Sequence, residues 1–258
     1  MPTDRWIGRL PLSLLLTAIF VWALAPDLSA EKVSTGDVKT DNVIVEMQGK
    51  LKPVKTCRAQ VTTRLLLDGE VYVIRDSASY RVPGRLRLER SISDEMRQTI
   101  LSDGSLLWIH DHSENMVSRV NLSRVHKATD LEADGDQPDP TRPFRGIEWE
   151  TIRYLKAEAL GSELCRAFEA SPKMTSVFAE LPVVPVKVRI LVNQDDGLAR
   201  QVQYLGPGGE EILTYRFEQV EVNPELGKKV FQFVVPARAL VMDATEETIE
   251  LLKAASGR

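Results

Sequence analysis

Apolar and polar residues alternate along most of this chain, with the period of two that marks half-buried strands. Residues 85–91 show it plainly: Leu86 and Leu88 fall on one side, Arg85, Arg87 and Glu89 on the other. Similar runs occupy 57–67, 71–81, 96–101, 106–110, 116–122, 152–159, 163–170, 186–193, 198–205 and 211–222, with 230–235 as the last. Turn chemistry separates them: Asp68-Gly69, Pro83-Gly84, Asp103-Gly104, Gly161-Ser162, Asp195-Asp196-Gly197, Gly206-Pro207-Gly208-Gly209 and Asn223-Pro224-Glu225. With Asp103-Gly104 as a two-residue turn, Met96, Ile100, Leu107 and Ile109 share one face. Thr99, Leu101, Leu106, Trp108 and His110 share the other. Both faces carry apolar residues, so this part of the sheet is expected to be covered on both sides.

Helical spacing is rare. Ile44, Met47 and Leu51 lie three and four residues apart after a cap at Asp41 or Asn42, and Pro53 ends the run. Residues 123–131 suit a helical turn or two. Residues 245–254 suit a C-terminal helix, with Thr245 as cap and Glu246 and Glu247 in its first turn. The fold class that follows is mainly β: an incomplete antiparallel β-barrel, a strongly curved sheet of about ten strands, closed by two or three short helices. Residues 134–143, rich in Asp, Pro and Gly, read as an exposed loop and not as a domain boundary.

The amino terminus changes the picture of where the chain works. Arg5 and Arg9 precede an apolar stretch from Leu10 to Ala25, and Leu28-Ser29-Ala30 ends in small residues. Residues 1–30 therefore read as a cleaved signal peptide, leaving 31–258 as one domain in the periplasm. The alternative is an anchor in the inner membrane through residues 10–25, a stretch short of the roughly 20 apolar residues that a span requires. The net charge of -4 and pI near 5.6 give no nucleic-acid footprint. The arginines are interleaved with Glu and Asp, as on solvated strand faces. Cys57 and Cys165 lie on separate strands, where a disulfide and two buried free thiols are both open, the free thiols being the expectation.

Chemical motifs are scarce. No nucleophile elbow, phosphate loop, dinucleotide fingerprint or CxxC pair occurs. His110 and His112 have metal-like spacing, with Glu114 as the nearest third ligand, but a hairpin turn with solvated polar residues is the expected reading of the cluster. Glu148 and Glu150 form an acidic pair with no sign of enclosure. No cofactor, metal or enzymatic activity is expected. The inward-facing apolar residues remain: Leu86, Leu88, Ile100, Leu107, Ile109, Phe231 and Phe233 are candidates for a concave lining. A filled core explains the same pattern.

Residues 80–122 resemble the periplasmic outer-membrane lipoprotein carrier and sorting family (LolA/LolB-like). The resemblance rests on Pro83 to Leu88, on Ser102-Asp103-Gly104-Ser105-Leu106-Leu107-Trp108-Ile109, and on Pro143-Phe144. Phe231-Gln232-Phe233-Val234-Val235-Pro236 and Val241-Met242-Asp243 close the series. Together these anchors run in order from about Asn42 to Asp243. The resemblance implies an apolar cavity, with Leu86 and Leu88 at its lining, that carries lipoprotein acyl chains or another lipid towards the outer membrane. It also implies a monomer that meets an inner-membrane exporter and an outer-membrane acceptor. The family's arginine before the turn proline is replaced here by Val82, so that lid latch is missing from the pattern. An envelope lipoprotein or lipid sensor, or a regulatory binding module of the same fold, is the alternative. A lipid-modifying enzyme is a third.

Overall fold

The computed structural model describes residues 34–82, 84–91, 97–129, 139–173, 178 and 181–255. The signal-peptide stretch 1–30, Pro83, Met96 and residues 134–138 of the 134–143 loop lie outside them.

One twelve-stranded sheet dominates. In chain order its strands are β1 (Thr56–Leu67), β2 (Glu70–Arg81), β3 (Arg85–Ser91), β4 (Arg97–Ser102), β5 (Leu106–Asp111), β6 (Met116–Asn121), β7 (Arg153–Leu160), β8 (Glu163–Ala170), β9 (Lys187–Asn193), β10 (Ala199–Leu205), β11 (Glu211–Val222) and β12 (Leu240–Asp243). The spatial order is β12-β6-β5-β4-β3-β2-β1-β11-β10-β9-β8-β7, so β12 and β7 are two open edges and the barrel is incomplete. Hairpin neighbours are antiparallel; β12 alone returns parallel to β6. The helices are α1 (Val38–Leu51), α2 (Leu122–Thr129) and α3 (Thr245–Ala255).

Turn residues set most of the register. Asp68 and Gly69 both have positive φ, 52° and 81°, and join β1 to β2 as a two-residue loop with Leu67 opposite Glu70. The β4–β5 turn sits one residue further along than its Asp-Gly pair suggests. Asp103 N–H donates to Leu106 O, and the Asp103 carboxylate accepts the N–H groups of Ser105 and Leu106, so Gly104 and Ser105 are the loop. Leu101 therefore faces Trp108, a slip of two residues from the expected pairing. An even slip preserves the faces, so Ile100, Leu107 and Ile109 still share one side.

Helix α1 begins four residues before its expected start. Asp37 caps it, accepting from Lys39 N–H and, at 2.6 Å, from the Thr40 hydroxyl. Asp41 instead folds back onto the Thr35 N–H and hydroxyl and the Ser34 hydroxyl. The helix buries Thr40, Ile44 and Met47 against the sheet. At the β9–β10 turn, a Cβ on Gly197 would stand 2.9 Å from Met47 O and 3.3 Å from the Leu51 side chain. Only glycine lets the helix settle so close. The Arg166–Glu46 ion pair at 2.7 Å and a Lys50 contact to Gln194 O fasten the same edge of the helix. Helices α2 and α3 pack together at the β5–β6 end, where Asn121 N–H reaches the Thr245 hydroxyl at 2.9 Å.

The predicted strand 230–235 does not form. Residues Lys228–Phe231 make a single 3-10 turn, and the strand pattern is carried by Leu240–Asp243. Residues 226–239 instead run as a strap across the outer face of β2–β6. The phenylalanines pack there on Arg81 and Trp108, and the carbonyls of Leu226, Val230 and Ala237 accept from the side chains of Arg81, Arg87 and Asn115 in place of a backbone ladder. The strap covers Leu101 and Val117, both wholly buried on that face, so this part of the sheet is indeed covered on both sides.

Candidate functional site

The register assigns the concave face. Across β1 to β6 one row reads Ala59, Ala78, Leu88, Ile100, Ile109 and Ser118; the next reads Cys57, Tyr80, Leu86, Ser102, Leu107 and Val120. Leu86, Leu88, Ile100, Leu107 and Ile109 thus come together, each 6% exposed or less, within the main core cluster. The small side chains of Ala59, Ala78 and Ser118 flank the branched ones in the first row, and Tyr80 stands beside Leu86 in the second. The β7–β11 half adds an aromatic group. Phe144 meets Phe168 edge-on at 5.0 Å, and Tyr154 and Trp149 pack beside them. The Pro-Phe element of the sequence is therefore a core contact.

Phe231 and Phe233 do not join this lining. Phe233 stacks on Trp108 with ring centroids 4.9 Å apart and planes at 7°. Trp108 lies on the row of Leu101 and Arg119, the opposite face from Leu107 and Ile109. Phe231 sits under the Arg81 guanidinium, 5.0 Å from its ring centroid, while Arg81 Nη2 donates to Leu226 O. A phenylalanine pair at strand spacing reads as a strand; only the path of the strap reveals that it covers the outside.

Polar groups interrupt the concave face at one end. Arg90 and Asp76 face each other across β2 and β3 as a two-point pair, Nε to Oδ1 at 2.8 Å and Nη2 to Oδ2 at 3.1 Å, with side chains only 3% and 4% exposed. Gln98 lies opposite Arg90 on β4. Sequence reasoning missed this pair because Arg90 belongs to an arginine-rich strand whose other arginines are solvated. The parity signal was present: Arg90 follows Leu86 and Leu88 at intervals of two.

An open groove of about 760 Å³ lies at the other end of the sheet, lined by Pro53, Lys55, Thr56, Arg81, Val82, Asn223, Pro224 and Leu226. Val82, at the position of the missing arginine, opens onto this groove, whereas Arg81 is tied to the strap.

The His110 and His112 rings lie 4.2 Å apart, their planes tilted by 36°. The Thr99 hydroxyl donates to Glu89 Oε2 and so accepts from His112 Nε2, both at 2.8 Å. The described residues contain no group of three side chains able to hold a metal. Glu148 and Glu150 are exposed. Both cysteines are free and buried. Cys57 is on the concave side and Cys165 packs with Ala167 and Leu191 on the other, so the sheet separates them. Burial pushes the Cys57 thiol up to about 12 and the Cys165 thiol to about 11, which leaves neither as a nucleophile.

No family model matches the chain, and no curated protein matches it. Solved structures do resemble it. An uncharacterized conserved protein from Thermus thermophilus aligns with 80% of this chain and 99% of its own at 9% identity and a TM-score of 0.54. The similar structures include a LolA superfamily protein from Nitrosomonas europaea at 14% identity, covering 75% of this chain and 97% of its own, TM-score 0.36. The lipoprotein LppX of Mycobacterium tuberculosis is another, at 10% identity, 74% and 99% coverage, TM-score 0.46. At these identities the likeness is one of architecture. Among the described residues no helix is long and apolar enough to cross a membrane.

Proposed function

We propose that this chain is a non-enzymatic periplasmic carrier that receives the acyl chains of lipoproteins, or another lipid, on its concave face and moves them towards the outer membrane. The observation that supports this reading is the continuous apolar inner surface of Leu86, Leu88, Ile100, Leu107 and Ile109, flanked by the small Ala59 and Ala78. Hydrocarbon in water costs about 0.8 kcal/mol per CH₂, so a lipid in transit needs such a surface. The lining is covered in this state, so loading requires a helix to move aside and expose it. Release then follows when a tighter acceptor competes, because the helices can re-cover the leucines.

Titration of the purified chain with a fluorescent palmitate analogue tests the reading. Saturable binding that unlabelled fatty acid displaces is the expected result, together with acyl lipid extracted from protein purified from its own compartment. A lipid-free protein that shows only non-saturable partitioning would end the carrier assignment. A sensing or regulatory module of the same fold is the second reading, and the uncovered apolar edge at β12 favours it.

A further inference from the structure

We propose that the free edge of β12 is a docking site for an extended apolar segment of another protein, which joins the sheet beside β12. The two edges of this sheet are unlike. β7 is blunted by Arg153, Lys156 and Glu158, the usual protection of an exposed strand. β12 has no such residue from Leu240 to Met242, and these three side chains are 62%, 45% and 40% exposed.

The backbone specifies what fits. Leu240 N–H donates to Asn115 O and Ala244 N–H to Arg119 O, so alternate residues of β12 face β6. In a parallel ladder the intervening residues, Val241 and Asp243, turn their N–H and C=O groups outward. Among the described residues no strand lies beyond that edge. Two donors and two acceptors at strand spacing match another extended main chain; a lipid tail offers none.

The side chains specify the sequence of that segment. Leu240 and Met242 lie on the concave side with Met116, and Val241 on the outer side with Val117. A strand added here meets apolar surface on both of its faces and is therefore apolar at consecutive positions. Arg238, exposed at the entry to β12, forms no ion pair among the described residues, so an acidic residue beside the apolar run completes the match. A second copy of this chain fits less well. Edge-to-edge pairing of two four-residue strands falls far short of the roughly 800 Å² per partner of a stable interface.

The probe is a fluorescein-labelled peptide, Glu-Val-Ile-Val-Thr-Val, followed by anisotropy with the full chain. Val241→Pro deletes an outward N–H and leaves the Leu240 and Ala244 bonds to β6 in place. The expected result is binding weakened about tenfold or more by Val241→Pro, retained in Val241→Thr, and absent for the peptide with every amide N-methylated. Should Val241→Pro unfold, Arg238→Glu replaces it: binding then falls, and a peptide with Lys in place of Glu restores it. No binding by the unmodified chain up to about 1 mM, or equal binding of the N-methylated peptide, overturns the proposal. So does a dimer of the unmodified chain that Val241→Pro dissociates, which would give the edge to a second copy.

Discussion

The Asp76–Arg90 pair makes the sharpest demand on stability. Both side chains are almost wholly buried, and the guanidinium meets the carboxylate at two points on the concave face beside Leu88 and Ala78. Arg90→Met removes the one cation that pairs with Asp76 among the described residues and leaves a buried carboxylate without it. Breaking a buried pair from one side costs about 3–5 kcal/mol. That is a large fraction of the roughly 5–15 kcal/mol that holds a domain folded. Asp76→Leu should cost a similar amount by stranding the guanidinium. The double variant Asp76→Leu/Arg90→Met removes both desolvation penalties and should lie within about 1 kcal/mol of the parent, or above it. Urea unfolding of all four proteins, followed by circular dichroism, closes the cycle, with the coupling read from the difference between the double variant and the summed singles. Single variants that each lose less than about 1 kcal/mol would mean that water reaches the pair. A double variant as unstable as the sum of the singles would mean that other groups depend on it.

Gly197→Ala should destabilise by roughly 1–3 kcal/mol, since φ is +75° and the new Cβ would press on Met47 O; thermal melting reads it, and a wild-type melting temperature would place α1 further from the turn. The Thr245 hydroxyl and the Arg119 guanidinium hold the Asp243 carboxyl well below its ordinary value. A depressed carboxyl adds stability that is complete above the unfolded value and is lost as pH falls through the folded one. Asp243→Asn should therefore flatten the loss of stability between about pH 4 and pH 2; an unchanged acid limb would discharge Asp243 from this role. With both thiols raised by burial, neither cysteine should react with a thiol reagent near about pH 8 in the folded chain, and both should react once it is unfolded. Rapid labelling of Cys165 in the folded state would mean that the outer cluster opens.

Local chemistry determined much of this protein from the sequence alone. The period-two runs placed eleven of the strands to within a residue or two, because alternation is a property of the backbone that any half-buried strand shares. The Asp68-Gly69 hairpin and the shared face of Ile100, Leu107 and Ile109 followed from turn residues and parity, and parity survived even the two-residue slip at Gly104. Other features depend on which distant segments meet. Nothing local distinguishes Arg90 from its solvated neighbours until Asp76 is brought opposite it. Phe231 and Phe233 have strand spacing, yet they cover the outside because Arg81 and Trp108 await them there. The edge status of β12 is likewise a property of sheet order, which local residue patterns do not encode. Sequence periodicity tells which side chains share a face; only the packed sheet tells what that face looks upon.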